Sequence, residues 1–393
     1  MTTTVTLTRD RRLTRRGVLW LGLHCDVRCK FCYDELVAAN EKAWMPVAQA
    51  RARLAQFRDV YGNEFVDFMG GEPTLHPQLP DLLQHAAGIG LRPTIITHGM
   101  RLADPHLAAE YAEAGLHDVL MSVHGIGERA RDIHGRGRDN FAKQLAAMAN
   151  LRSVGIPFRF NVTLIRDNLD QLELIADLAA DQGARVVNFL TFNPYFEWSA
   201  QPDIPFQARH SDIAVPLARA IDRCTAAGVE ANVRYMPICQ LPGREQHVYT
   251  GFQLPYDEHE WDYNSWYGYN EAPQPDRAWY LRASREQQVR HHYQHPAACQ
   301  GCALIEVCDG FHEQYLARWG DDEARPYAGA RVTDPTIHIR RQDKLRYLTD
   351  SADLAGEPAG RPSPTAQPDL PLAVTIAAAD GRAGHTRSST RRA

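Results

Sequence analysis

Two rhythms of apolar residues alternate over the first 235 positions. Short, nearly continuous apolar runs, the pattern of strands buried on both faces, fall at 17–23, 65–68, 93–97, 118–123, 157–164 and 185–190. Alanine- and leucine-rich stretches with helical spacing lie between or after them, at 46–60, 104–114, 140–153, 169–181 and 215–227. Six such alternations predict an α/β fold with a parallel sheet and outer helices. A partial (β/α)6 TIM-like barrel over 17–235 fits the spacing better than an open doubly wound sheet, although periodicity alone does not separate the two. In either arrangement a ligand site forms at the carboxyl ends of the strands.

Beyond residue 235 the helical rhythm stops. Residues 236–345 are aromatic, punctuated by proline, and read as a smaller C-terminal domain. Residues 1–16 read as an N-terminal extension, and 346–393 as a disordered tail with too few apolar residues to offset the entropy of ordering. The 393-residue chain is 44% hydrophobic with a formal charge of -5, which suits a globular protein and leaves no electrostatic footprint for nucleic acid. No stretch reaches the roughly 20 apolar residues a bilayer requires, and the opening residues contain no signal-peptide core. A cytoplasmic protein without membrane attachment is therefore expected. Thiols stay reduced there, so the eight cysteines point to metal chemistry rather than disulfides.

Three of those cysteines share one loop. CDVRCKFCY, residues 25–33, spaces Cys25, Cys29 and Cys32 as C-x3-C-x2-C directly after the first predicted strand. Soft thiolates suit zinc and iron–sulfur clusters alike. Three in so tight a loop would leave one iron of a cubane cluster open to a ligand. FMGGEPTLHP, residues 68–77, follows the second predicted strand, and its two glycines permit close backbone approach to a ligand. By itself it could equally be a plain turn.

Taken together, the cysteine loop with an aromatic residue before its last cysteine and the GGE segment at the next strand end resemble the radical S-adenosylmethionine superfamily. The resemblance implies a 4Fe-4S cluster with one open iron on Cys25, Cys29 and Cys32. It also implies that Gly70, Gly71 and Glu72 hold the amino group of S-adenosylmethionine, that Tyr33 meets adenine through its backbone, and that Ser122 and Asn161 add cofactor contacts. His124 stands where the family often has aspartate and is read as facing substrate, as are Asn188, Thr191 and Asn193. Each of these polar residues could equally cap a strand, and Phe192, Tyr195, Phe196 and Trp198 could be core or substrate wall.

Cys239, with Cys299, Cys302 and Cys308 in a C-x2-C-x5-C array, supplies four further thiolates. Zinc held by all four is the plain chemical reading. Beside the first resemblance, the array is similar to the auxiliary-cluster domain called SPASM or its shortened twitch form, which implies one fully ligated auxiliary 4Fe-4S centre. Cys224 is left over in a helical pattern, as a small buried hydrophobe or a hydrogen-donating thiol. His291, His292 and His295 read as helical surface residues. Between the cysteines, aromatic residues interleave with Asp257, Glu258, Glu260 and Asp262, either covering the barrel mouth or forming a packed crossover.

The resemblance implies reductive cleavage of S-adenosylmethionine to a 5′-deoxyadenosyl radical that abstracts hydrogen, with electrons from a flavodoxin- or ferredoxin-like donor. A fully ligated auxiliary centre suits an oxidative modification. A small polar natural-product intermediate is the expected substrate, because the acidic aromatic segment could grip amines or hydroxyls. About sixteen residues before the first strand are also too few for a leader-recognition domain. A peptide maturase, a radical epimerase and a non-catalytic iron–sulfur or zinc scaffold are the alternatives.

Overall fold

Strands β1 (Arg16–Trp20), β2 (Phe65–Met69), β3 (Arg92–Thr97), β4 (Asp118–Ser122), β5 (Phe158–Leu164), β6 (Val186–Thr191), β7 (Glu230–Arg234), β8 (Val248–Tyr249) and β9 (Trp266–Tyr267) form one parallel sheet. This computed structural model describes residues 16–33, 43–135, 137, 139–194, 198, 201, 203–250, 266–267, 292–334 and 337–338. The extension before Arg16, the tail, Tyr195, Phe196, His291 and the acids Asp257, Glu258, Glu260 and Asp262 lie outside the described residues.

The spatial order is β8-β7-β6-β5-β4-β3-β2-β1-β9. From β1 to β8 every crossover steps one place in the same direction. A doubly wound sheet reverses at its switch point, and from β1 to β8 this sheet does not, which decides for the partial barrel, with β9 added beside β1. Helices α1 (Val47–Gln56), α2 (Leu79–Gly88), α3 (Pro105–Glu113), α4 (Glu128–His134), α5 (Asn140–Ser153), α6 (Leu172–Gln182) and α7 (His210–Ala226) fill the crossovers.

Alternation along each strand separates two faces. Leu19, Phe68, Ile95, Met121, Phe160 and Phe189 are wholly buried in one cluster with the helix residues Leu54, Leu82, Met148, Ile175 and Leu217. The opposite, concave face is polar. At its floor Arg16 donates from Nη1 to Asp67 (2.8 Å) and Thr94 (3.1 Å), and Arg159 donates from Nε to Asp118 (2.6 Å). Such buried pairs hold only while both partners are present. Higher up, Ser122, Asn161, Asn188 and Asn232 are direct register partners on four neighbouring strands. An aliphatic plug would fill a closed barrel, whereas this interior is lined as a chamber for a polar occupant.

The six β/α units are present, and the sheet extends past them through three short strands that apolar runs did not mark. α2 and α4 were also unmarked. α7 begins at His210, ahead of the 215–227 pattern, because Pro216 lies inside the helix where a proline reads as a first-turn residue. The 169–181 pattern divides into a 3-10 turn, Arg166–Gln171, and α6.

The C-terminal lobe contains β10 (Tyr293–Gln294), antiparallel to β11 (Phe311–His312), and α8 (Glu313–Trp319). Its Cys302, Leu304, Val307 and Cys308 share a buried cluster with Met236, Ile238 and Val248, so the lobe is packed onto the β7–β8 side of the sheet. Among the described residues, no helix is long and apolar enough to cross a membrane.

Candidate metal centres

The cysteine loop leaves the end of β1 and is fastened before it turns. Leu21 N–H donates to Met69 O (2.8 Å), Gly71 N–H to Gly22 O (2.9 Å) and Glu72 N–H to His24 O (2.6 Å). A Cβ on Gly70 would lie 2.3 Å from Gly22 O, and one on Gly71 would lie 2.3 Å from His24 O. The close approach these glycines allow is therefore to the root of the cysteine loop rather than to a ligand. Further along, Arg28 N–H donates to His134 O (2.8 Å) and Lys30 N–H to Ile133 O (3.2 Å), strapping the loop to the end of α4. Phe31 fills the cluster of Ile133, Ile165, Phe192, Ile204 and Phe206, against which Cys29, Tyr33 and Trp198 pack. Trp198 donates to Cys32 O (3.2 Å) and Tyr33 to Asn193 O (2.6 Å). Phe192 and Trp198, after β6, thus serve as core behind the loop.

Glu72 follows the second of these glycines. It is fully buried: Oε1 accepts from Thr74 N–H (3.1 Å), Thr74 Oγ1 (2.6 Å) and Thr97 Oγ1 (2.6 Å), and Oε2 accepts from His98 N–H (2.9 Å). His98, at the end of β3, donates from Nε2 to Asp26 in the cysteine loop (2.7 Å). Burial opposes a charge on this ring, but the Glu72 and Asp26 carboxylates outweigh it and raise the His98 pKa. The hydrogen bond from Met100 N–H to Nδ1 (3.1 Å) requires a lone pair there and so selects the neutral Nε2–H tautomer in this geometry. The hydrogen bond from His98 lowers the Asp26 pKa. Gln144 ties the site together from α5, donating to His98 O (3.0 Å) and Ser122 O (2.8 Å).

Ser122 and Asn161 are half-buried register partners on the concave face, where the sequence placed them. Asn188 shares that face, and its Oδ1 accepts from Asn232 (3.2 Å). Three expectations of substrate-facing residues change. His124 is buried, its ring edge-on to Phe31 at 4.8 Å and its Nδ1 accepting from Thr163 N–H (3.1 Å), so it props the cysteine loop. Thr191 has the opposite parity to Asn188 on β6 and belongs to the helix side. Asn193 spends its amide on Tyr235 O (3.3 Å) and Tyr293 OH (2.9 Å), joining barrel to lobe. Asp26, His98 and Gln144 went unremarked in the sequence; an aspartate inside the loop and a histidine directly after the third strand were the available signals.

In the C-terminal lobe, Cys239, Cys299, Cys302 and Cys308 line one pocket with His295, Phe311, Arg325 and Tyr327. Cys239 sits on a 3-10 turn after β7, and Cys299 on another, Ala297–Gly301. Three sulfurs receive N–H groups: Gln240 Nε2 on Cys239 (3.3 Å), Tyr327 N on Cys302 (3.3 Å) and Gly310 N on Cys308 (3.4 Å). His295 is not on a surface helix but follows β10 and contacts Cys308 O at 2.9 Å. Cys224 is fully buried in the helix–sheet core.

Both sets fit a cationic cluster on chemical grounds. The Cys25 side chain is exposed, yet desolvation by the protein around it, reinforced by the Glu72, Cys32 and Asp26 charges, pushes its thiol up to about 12. Burial likewise takes Cys308 to about 12 and, with neighbouring thiols, Cys299 to about 11. Crowded, desolvated thiols become thiolates only beside metal, and all eight cysteines are free of disulfides. Three thiolates on a loop leave a position open, whereas four in a pocket close the coordination.

Residues 21–179 match the family model for the Radical SAM superfamily. The PqqA peptide cyclase of Xanthomonas campestris pv. campestris (strain B100) is 30% identical over 181 residues, 46% of this chain and 47% of that protein. The PqqA peptide cyclase of Streptomyces rochei is 29% identical over 211 residues, 54% of this chain and 55% of that one. The chain thus spans about half the length of the curated relatives it matches. Streptococcus suis SuiB bound to precursor peptide SuiA aligns with a TM-score of 0.54 at 16% identity, covering 82% of this chain and 76% of that chain. Native anSMEcpe with bound AdoMet and Kp18Cys peptide also aligns with a TM-score of 0.54, at 13% identity, covering 85% and 98%. Both share the fold.

Proposed function

We propose that this chain, whose residues 21–179 match the Radical SAM superfamily model, is a peptide-modifying radical enzyme with two iron–sulfur centres. The observation that carries the reading is the locking of the cysteine loop to residues 70–72 by backbone hydrogen bonds at adjoining strand ends. Cys25, Cys29 and Cys32 hold the reactive 4Fe-4S cluster, and Cys239, Cys299, Cys302 and Cys308 hold the auxiliary one. When bound, the first cluster and S-adenosylmethionine supply the one-electron chemistry that removes hydrogen from an unactivated C–H bond.

The chain's own residues position and shield. Gly70 and Gly71 set the loop against β2. Ser122 and Asn161 present hydroxyl and amide to the chamber where a polar cofactor sits, and the aromatic cluster around Phe192 closes the rear of the loop to water. N–H groups aimed at three auxiliary sulfurs favour its reduced state, as such bonds do in iron–sulfur proteins, and suit an electron acceptor for an oxidative modification. A flavodoxin- or ferredoxin-like protein is the expected electron source.

The expectation of a small polar substrate gives way to a peptide. Similarity to PqqA peptide cyclases supports this, covering the barrel half of the chain. Epimerisation would need a hydrogen-donating thiol at the chamber, and Cys224 lies on the helix side of the sheet. The test is anaerobic incubation with S-adenosylmethionine and a strong reductant, followed by assay for 5′-deoxyadenosine. Co-expression with a short peptide encoded beside the gene should then give a cofactor-dependent mass change in the peptide. Absence of deoxyadenosine after verified cluster loading would sink the enzymatic reading; turnover of a small metabolite with peptides unmodified would sink the substrate class.

A further inference from the structure

The GGE carboxylate is wholly committed within the protein. Glu72 takes hydrogen bonds from Thr74, Thr97 and the His98 backbone, and the His98 ring Nε2 stands 3.3 Å from its Oε2. The same Nε2 reaches Asp26 at 2.7 Å, one residue after Cys25. Ligand atoms of Cys25, Asp26 and His98 all lie within 4.8 Å of one another. His98 is itself fixed at both ends, with its Nδ1 accepting from Met100 N–H and its carbonyl accepting from Gln144. One buried imidazole therefore connects the end of β2, the end of β3 and the first turn of the cysteine loop.

We propose that His98 is a positioning residue that transmits the fixed location of Glu72 to Asp26, and so sets how Cys25 and the open coordination site are presented to S-adenosylmethionine. The inference rests on the cofactor reading above. Without the ring, the loop keeps its backbone straps at residues 22–24, 28 and 30 and its buried Val27, but the Asp26 side chain loses the hydrogen bond that ties it to β3. A carboxylate half-exposed beside the first cysteine is then free to rotate.

The experiment compares reconstituted wild type with His98→Asn, Asp26→Asn and the double variant. Three readouts are used: the change in the reduced cluster's electron paramagnetic resonance signal on adding S-adenosylmethionine, cofactor affinity, and iron loss to a chelator. Each single variant should weaken cofactor affinity and speed iron loss by about tenfold, the scale of one lost charged hydrogen bond, and should alter the cofactor-induced signal. The double variant should be no worse than either single one, because all three interrupt a single connection. His98→Gln, whose longer side chain brings its amide N–H closer to the place of Nε2 than that of asparagine does, should recover part of the effect. Far-ultraviolet circular dichroism and retained auxiliary-centre iron exclude misfolding. Additive effects, or variants indistinguishable from wild type, overturn the proposal. A wild-type protein that holds no cluster would instead overturn the cofactor reading itself.

Discussion

Cys25, Cys29 and Cys32 ride on a loop at the mouth of the barrel, whereas Cys299, Cys302 and Cys308 are only 8–9% exposed inside the C-terminal lobe. The loop owes its shape to backbone hydrogen bonds drawn from β2 and α4 and to an aromatic cluster behind it. The lobe set owes its shape to packing in continuity with the main core. The first arrangement would leave a metal position reachable, and the second encloses three of its four thiols, with Cys239 partly exposed. Reactivity and retention thus call for different kinds of support: hydrogen-bonded straps where a substrate must enter, and close packing where it must not.

The largest test of that contrast is Cys29→Ala. Iron should fall from about eight to about four per chain as one 4Fe-4S centre is lost, and 5′-deoxyadenosine should drop below detection. Next in size is Cys308→Ala, which should remove the other four or so irons while leaving substrate-independent deoxyadenosine formation nearly intact. If that variant also abolishes cofactor cleavage, the two centres are not separable and the comparison breaks.

Arg159→Met asks whether the barrel floor is as firmly built as the lobe. It strands Asp118 at 3% exposure and should cost about 3–5 kcal/mol, read from the denaturant midpoint of the loaded protein. An unchanged midpoint would remove the ion pair from the account of the chamber.

The smallest effect concerns pH. His210 is wholly enclosed between Phe311 and Tyr315 on the lobe seam, and burial pushes its pKa down to about 3. The unfolded chain takes up a proton below about 6.5 and the folded one does not, so stability is full above that value and falls as the pH drops toward about 3. Each such histidine contributes about 1.4 kcal/mol per pH unit in that window. His210→Phe, which keeps the ring stack, should lose less stability between pH 7 and pH 5 than wild type. Equal losses would place the acid sensitivity elsewhere, as at His134, which burial depresses to about 4.

The sequence carried the parts that depend on local pattern. Apolar runs located six strands because each buries one face on helices, and cysteine spacing marked the thiols of the first loop and of Cys299–Cys308, whereas the fold, not spacing, brings Cys239 to the latter. Strands β7 to β9 escaped because EANVR alternates polar and apolar residues and the others are two residues long. The His98–Asp26 contact spans 72 positions, and no local rule connects them. His124 and Thr191 were misplaced for a related reason. A polar residue near a strand end reads as a pocket wall, but its orientation depends on parity and on what packs behind it.

Asn193 gives the molecule a ruler. Its carbonyl holds Tyr33, the residue after Cys32, and its side chain holds Tyr293, whose strand pairs with the one that follows Cys308. One asparagine therefore touches the neighbours of both cysteine sets, in addition to the core that barrel and lobe share. Electron tunnelling falls off steeply with separation, so if both sets carry the proposed clusters, the distance between them would be fixed by the folded chain rather than by a docking event.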